Sequence, residues 1–520
     1  MSVLNLLLFG QTITWERALP GRYALFWAKN SLLVNENRVV LTGIKSLHGT
    51  PYVGFCMGVE PNTGQILWEV EFSDIPYSRC GSCAPAQDFF YVFGDYGNPY
   101  GLLIAKLDYD GNVSWVRELS GPPDFLYLGG AFSALRDQNN NIVALGLSVS
   151  ANDTVDRAFL WSLDSEGTQR WKYIYDSPWN LPNQGFSAEI DEDGNAYVVG
   201  FLMRGIRKGI HQGTKYPSEP NLFSPETCYS MRPFLLKVNP SGELVWAQDY
   251  AYWTNSGQGH FVEYSEGRLY MVARELAGAM YAESRDRYGH LFWYYRYSQE
   301  FISLSVCDGL AVDPRGNVYI TGRKENPGPE LFLTSFDLQG KMRFFNFLAE
   351  GSGLVLSVDT MGGIFIGGYL EDSSGKVSFT VIKLDTLGNL KWIFQNNGNF
   401  DGYTRDGYCC WLVPDQEGGV FAMGNFGSSD TLIPPIQYIV HLSDTTNEIK
   451  ENTKSNHSLT IIPAPFGFYI TCPSGEARIY DSAGRLVMAR EIKGKTLISP
   501  LVPGVYFVVA GEERVKVAVR

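Results

Sequence analysis

The chain has 520 residues, of which 14% are aromatic and 19% charged, with 55 glycines and a formal net charge of −13. That acidity excludes a surface built for nucleic acid or for an anionic membrane, whose phosphates would repel it. The apolar run at 2–9 (SVLNLLLF) is far too short to span a bilayer.

In chain order, residues 1–10 read as the remnant of a signal peptide, with cleavage after Gly10, although no positive residue precedes the apolar run. ITWERALPG (13–21) follows as a strand bearing Trp15 with no turn before it. A hairpin then recurs: an acidic or Asn residue, a few turn residues, Gly, and an aromatic residue four positions after that Gly. Its copies are VEPNTGQILW (59–68), LDYDGNVSW (107–115), LDSEGTQRW (163–171), VNPSGELVW (238–246), SRDRYGHLFW (284–293), FDLQGKMRF (336–344) and LDTLGNLKW (384–392). Phe344 stands where the others carry Trp, and 13–21 is a copy lacking its first half.

A second series precedes each hairpin: an Asp-x-x-Gly turn feeding a β-branched or aromatic strand that ends in Gly. DEDGNAYVVG (191–200), DPRGNVYITG (313–322), DTMGGIFIGG (359–368) and DQEGGVFAMG (415–424) are its clearest copies. Asp suits the first turn position and Gly the positive φ that such turns demand. One repeat thus reads as four strands, for example 309–313, 317–322, 331–337 and 341–348. The last repeat supplies 409–415, 419–424 and 438–444 and takes its fourth strand from 13–19. The expectation is an all-β fold: an eight-bladed β-propeller over 11–444, with four-stranded blades and a strand clasp that removes the open sheet edge. The repeated Trp is expected to pack one blade on the next. DYDGN (108–112) and DEDGN (191–195) look like the start of calcium loops, but both fall in the repeated turns.

Both turn series share one face, so the irregular connections share the other: 72–83, 175–185, 250–260, 395–410 and an insertion at 201–233. Such a loop-rich rim is where a rigid ring builds a binding site, and Trp179, Trp253, His260, Phe400 and Tyr403 are its candidate ligand-binding residues. Eight cysteines permit disulfides, for which Cys80, Cys83, Cys409 and Cys410 are candidates. Cys83 and Cys410 read as equivalent positions, each five residues before the Asp that closes a first strand. No second Cys-x-x-Cys or spaced His pair completes a zinc site, no Ser/His/Asp set can be assembled, and neither metal nor cofactor is expected.

Residues 445–458 are polar and free of aromatics, which marks a linker, and 459–520 read as about six short strands forming a small β-sandwich. This segment resembles the type A carboxy-terminal sorting domain of the type IX secretion system of Bacteroidetes-like bacteria. The matching residues are Tyr480, Asp481, Gly484, Arg485 and Val487, then Pro503, Gly504, Val505, Tyr506 and Phe507, then Lys516. Pro463-Ala464-Pro465 stands where that family has Pro-Asn-Pro. The resemblance implies export through the type IX machinery to the outer surface or the medium, with removal of the sorting domain. Copy 59–68 also resembles the tryptophan-docking repeat of pyrroloquinoline-quinone-type propellers, through Glu60, Thr63, Gly64 and Trp68. That repeat occurs in dehydrogenases and in non-catalytic scaffolds alike, and the adjacent Cys409-Cys410 resembles the vicinal disulfide of some quinoprotein dehydrogenases. The expected function is a surface binding or adhesion module for a glycan, protein or peptide. A polysaccharide-active or quinone-dependent secreted enzyme and a structural part of a surface assembly are the alternatives.

Overall fold

A computed structural model describes residues 11–444 and 460–519, apart from 25–30, 36–37, 47–51, 98–100, 121–124, 151–154, 178–180, 205–229, 251–256, 276–278, 298–303, 325–327, 416, 429–432, 465–466, 482–485, 499–503 and 511–512. The signal-peptide segment and the linker therefore lie outside the described residues, as do Trp179, Trp253, Gly484, Arg485 and Pro503. The chain divides into two compact units, 1–445 and 446–520. No helix occurs among the described residues, and none is long and apolar enough to cross a membrane.

The first unit is a propeller-like succession of antiparallel meanders that pair their strands in sequence order, except that in the first both Arg22–Tyr23 and Leu32–Val34 pair with Val39–Lys45. They span 22–71, 78–120, 125–174, 183–249, 257–297, 304–349, 351–396 and 406–444. The strand Met342–Val358 belongs to two of them, ending the 304–349 meander and opening the next. Gln11–Pro20 pairs antiparallel with Ile436–Asp444, so the N-terminal strand completes the 406–444 sheet.

Burial explains the strand sequences. Val39–Lys45 and Val53–Val59 are buried almost throughout, as middle strands covered on both faces must be, and they read as near-continuous apolar runs. The outer strand Ile66–Glu71 is largely exposed and mixes polar with apolar residues. The larger apolar clusters draw on neighbouring meanders: Cys56 and Phe72 pack with Val92 and Leu103, and Trp15 and Ile439 pack with Leu41 and Phe55.

The turns repeat one device. Asp313 Oδ1 accepts from the backbone N–H of Arg315 at 2.9 Å and of Asn317 at 2.8 Å, while Gly316 N–H donates to the Asp313 carbonyl. Asp108 and Asp191 make the same bonds, so these carboxylates serve their own backbone. Such local side-chain bonds favour the turn over any continued ladder.

The Trp of each outer strand reaches the following turn. Trp68 Nε1–H donates to the Tyr109 carbonyl at 2.9 Å, Trp171 to Pro240 at 2.8 Å and Trp15 to Pro61 at 2.6 Å. The indole then covers the turn glycine: a Cβ at Gly111 would fall 2.6 Å from Trp68, and one at Gly64 would fall 2.4 Å from Trp15. Phe344 covers Gly388 in the same way without the polar bond. The Gly-plus-four-Trp spacing thus pairs a ring with the glycine of a different repeat.

The second unit is a single sheet among its described residues. Its described strands are five, Thr460–Ala464, Gly467–Asp481, Leu486–Ile498, Gly504–Ala510 and Glu513–Val519, in one continuous hydrogen-bonded sheet. The long Gly467–Asp481 strand is irregular between Cys472 and Gly475. Before that break it pairs with Thr460–Ala464, and after it with Gly504–Ala510.

Candidate functional site

The first strands of the meanders lie side by side from one sheet to the next. Six of them carry a single extra residue at equal depth: Gly81, Phe186, His260, Asp308, Leu354 and Cys410. Just before it stands a small residue, Cys80, Gly185, Gly259, Cys307, Gly353 or Cys409, facing Gly94, Gly200, Ala273, Gly322, Gly368 or Gly424. A bulge bends its strand and re-aims one side chain, which is why such positions gather near functional sites.

Neighbouring bulge residues touch. The rings of Phe186 and His260 lie 5.6 Å apart, and His260 Nδ1 lies 4.0 Å from Asp308 Oδ1. The second strand adds one residue beyond each facing Gly or Ala: Asp95, Phe201, Arg274, Arg323, Tyr369 and Asn425. In most meanders this pair of positions is absorbed by the fold. Asp95 is held by Arg79 at 2.5 Å, Phe201 packs on Phe186 with centroids 5.1 Å apart, and Asn425 clamps the backbone of Ala24 through two bonds. In the adjacent 257–297 and 304–349 meanders the same positions hold His260 with Arg274 and Asp308 with Arg323.

Charge gathers in that sector. Arg274 donates to Gln258 Oε1 at 3.0 Å and Arg323 to the Tyr369 hydroxyl at 2.7 Å. Enclosure pushes the Asp308 carboxyl up to about 7, against the pull of Arg274 and Arg323. Enclosure and then the Arg274 charge push His260 down to about 3, so its imidazole is neutral at ordinary pH. His260 Nε2 is enclosed without a hydrogen-bond partner among the described residues. The side chains nevertheless keep some access to solvent, 16% for His260 and 22% for Asp308. The sector can offer guanidinium donors, a carboxyl that exchanges its proton near neutrality, and a neutral imidazole.

Of the candidates read from the sequence, His260 is in this sector. Phe400 and Tyr403 are elsewhere, on the short hairpin Asn399–Phe400 with Tyr403–Thr404. Phe400 packs on Phe426 at 4.9 Å and Tyr438 at 6.0 Å as part of the apolar interior, whereas Tyr403 is 53% exposed. Asp308, Arg274 and Arg323 were missed. Aligning the repeats on the Gly or Ala that ends each second strand brings them out, because His260 and Asp308 then replace apolar or small residues at the bulge position in two neighbouring copies.

The cysteine expectations are corrected. Cys80, Cys83, Cys409 and Cys410 are buried free thiols, as is Cys56. Cys409 and Cys410 join different apolar clusters on either side of the bulge. Cys83 is not equivalent to Cys410. The residue opposite Gly94 is Cys80 and the residue opposite Gly424 is Cys409, so those two correspond. Each sits where neighbouring sheets approach closely: a Cβ added at Gly54 would fall 2.8 Å from Cys80 Sγ, and one at Gly367 would fall 2.7 Å from Cys409 Sγ. A small, apolar thiol fits such a crossing. Among the described residues no group of three or more His, Cys, Asp or Glu side chains stands as metal ligands.

In the second unit, Tyr480 lies opposite Phe507, Asp481 opposite Tyr506, and Phe507 opposite Lys516. Three stretches that are separate in sequence are thus adjacent across strands, and Gly504 opens the strand between them.

No family model matches the chain, and no curated protein matches it. Among solved structures it is similar to the quinohemoprotein alcohol dehydrogenase from Comamonas testosteroni, at 10% identity over 88% of this chain and 79% of that one, with a TM-score of 0.48. It is also similar to a protein of unknown function from Dyadobacter fermentans DSM 18053, at 12% identity over 62% and 96%, with a TM-score of 0.39. A third is the WD40 domain of SCAP from fission yeast, at 11% identity over 84% and 95%, with a TM-score of 0.37. Likenesses this distant add no weight to any function.

Proposed function

We propose that the chain is a secreted or cell-surface eight-bladed β-propeller, closed by its N-terminal strand, that binds an extracellular glycan, protein or peptide. Its 459–520 segment directs export through the type IX machinery. The observation that carries the binding reading is the His260–Asp308 sector, where the bulge residues of two adjacent repeats form a partly exposed pair 4.0 Å apart, with Arg274 and Arg323 one residue beyond the facing Ala273 and Gly322. Support for the ring comes from Gln11–Pro20, which supplies the outer strand of the last sheet while Trp15 reaches the first. Support for export is the motif residues and their adjacency across strands.

A screen of the full chain against glycans and peptides, followed by His260→Ala in the same screen, tests the binding reading. A ligand lost on that substitution supports it, and a ligand indifferent to it moves the site elsewhere. Mass spectrometry of culture medium tests export. A mature protein lacking the segment from about 447 onward supports sorting, and an intact C-terminus on the external protein counts against it.

A further inference from the structure

We infer that Arg405 forms an oxyanion site, taking a carboxylate, sulfate or phosphate group of a ligand beside the 399–404 hairpin. The site is separate from the His260–Asp308 pair, so its test stands apart from that of the binding reading.

Arg405 lies between the hairpin of Asn399–Phe400 with Tyr403–Thr404 and the strand Asp406–Pro414. Residues 401–404 and 406 are exposed, yet Arg405 is only 3% exposed. Its backbone N–H donates to the Gly398 carbonyl at 3.0 Å, and the chains approach so closely that a Cβ at Gly398 would fall 2.1 Å from the Arg405 carbonyl oxygen. Gly398 meets this with a φ of +68°. Phe400 anchors the start of the hairpin on Phe426 and Tyr438. The segment is thus pinned at both ends, and the Arg405 side chain is enclosed with it.

A guanidinium has five N–H donors and keeps its charge at every ordinary pH. Here Nη1 donates to the Phe400 carbonyl at 3.1 Å, and Nε is enclosed without a hydrogen-bond partner. No carboxylate among the described residues pairs with the group. Asp401 and Asp406, its closest acids in sequence, are exposed, and Asp406 accepts from the Val377 N–H at 3.3 Å. Three other buried cations have their acids: Arg285 bonds both oxygens of Glu283, Lys237 lies 3.8 Å from Asp191, and Lys324 pairs with Glu330. A charge enclosed without its counter-ion is costly to the fold, so an anion that reaches it gains what the chain leaves out.

The planar fork of a guanidinium presents paired donors to a single oxyanion, which sets the class of ligand. Its cover is aromatic. The guanidinium carbon lies 5.7 Å from the centre of the Tyr403 ring, which offsets part of the charge. Tyr403 is 53% exposed, and a Cβ added at the neighbouring Gly402 would meet nothing within 4 Å, so the ring has room to turn aside.

The test is thermal melting of the full chain in sodium acetate, sulfate or phosphate against sodium chloride at equal ionic strength. Expected is a saturating rise in melting temperature over chloride of about 1 °C or more for at least one salt, and the salt that acts names the head group. Arg405→Met should remove that rise and melt no lower than the parent in chloride, because it deletes an uncompensated charge at similar volume. Tyr403→Ala, at an exposed position, gives a readout that does not depend on how the Arg405 variant folds. It should tighten the acting anion by about twofold or more, since the ring no longer competes for the guanidinium. A parent indifferent to all three salts overturns the inference, as does a rise that persists in Arg405→Met. A response unchanged or weakened in Tyr403→Ala also overturns it.

Discussion

The Trp68 indole lies across the α-carbon of Gly111 and donates to the carbonyl of Tyr109 at 2.9 Å, although ring and glycine come from different repeats. Gly111 has a φ of +86°, where an L side chain is strained, and a Cβ there would also strike the indole. Gly111→Ala should therefore destabilise the first unit by about 2–4 kcal/mol, more than either effect alone. Urea unfolding followed by tryptophan fluorescence measures this, and a loss below about 1 kcal/mol would show that the ring simply slides aside.

The equivalent contact made by Trp15 joins the last sheet to the first, through the Pro61 carbonyl and the face of Gly64. Trp15→Ala is expected to cost about 3–5 kcal/mol, as for other buried aromatic truncations. Trp15→Phe should cost less, because Phe344 already fills that role in one repeat. Hydrogen exchange should show the loss first in Ile436–Asp444, the strand paired with Gln11–Pro20. Uniform loss across the sheets would deny this local role.

Five buried thiols make a chemical prediction. Burial pushes Cys83 up to about 12 and raises Cys56, Cys80, Cys409 and Cys410 as well, so little thiolate exists at neutral pH. In the native protein these five should resist iodoacetamide for hours, and all should label in denaturant. Recovery of a Cys80–Cys83 or Cys409–Cys410 disulfide peptide from native protein would contradict the assignment.

The His260–Asp308 pair gives stability an unusual pH profile. Folded Asp308 keeps its proton to about 7, whereas an unfolded Asp loses it near ~4, so its contribution is full at low pH and declines as pH rises. Folded His260 gains a proton only near 3, against about 6.5 unfolded, so its contribution is present at neutral pH and lost as pH falls. Between ~4 and ~6.5 the two slopes oppose each other. Asp308→Asn removes the first and leaves the second. Its melting temperature should climb more steeply with pH across that window than that of the parent, and parallel profiles would exclude the pairing.

Much of the strand pattern was legible because its causes are local. Gly316 and Gly111 announce turns through the φ they supply, and buried runs such as Val39–Lys45 announce covered strands. The bulges were not legible, since the extra residue is defined by its partner strand and not by its own neighbours. Hence Asp308 went unread, and Cys83 was aligned with Cys410 when the facing glycines align Cys80 with Cys409. Phe400 misled for a different reason. An aromatic residue in a loop looks available, but whether it folds back onto Phe426 depends on a meander elsewhere in the chain.

The pairing of Gln11 with Asp444, and of Glu16 with the Tyr438 hydroxyl, also sets an order of assembly. Gln11–Pro20 is made long before its partner Ile436–Asp444, so for most of the synthesis of this unit its backbone waits without its native neighbour. Every other meander can form as its own residues appear, by pairing neighbours in sequence. Completion is therefore a single late event, and a chain halted before about residue 436 would carry nearly all its sheets yet hold a loose leading strand.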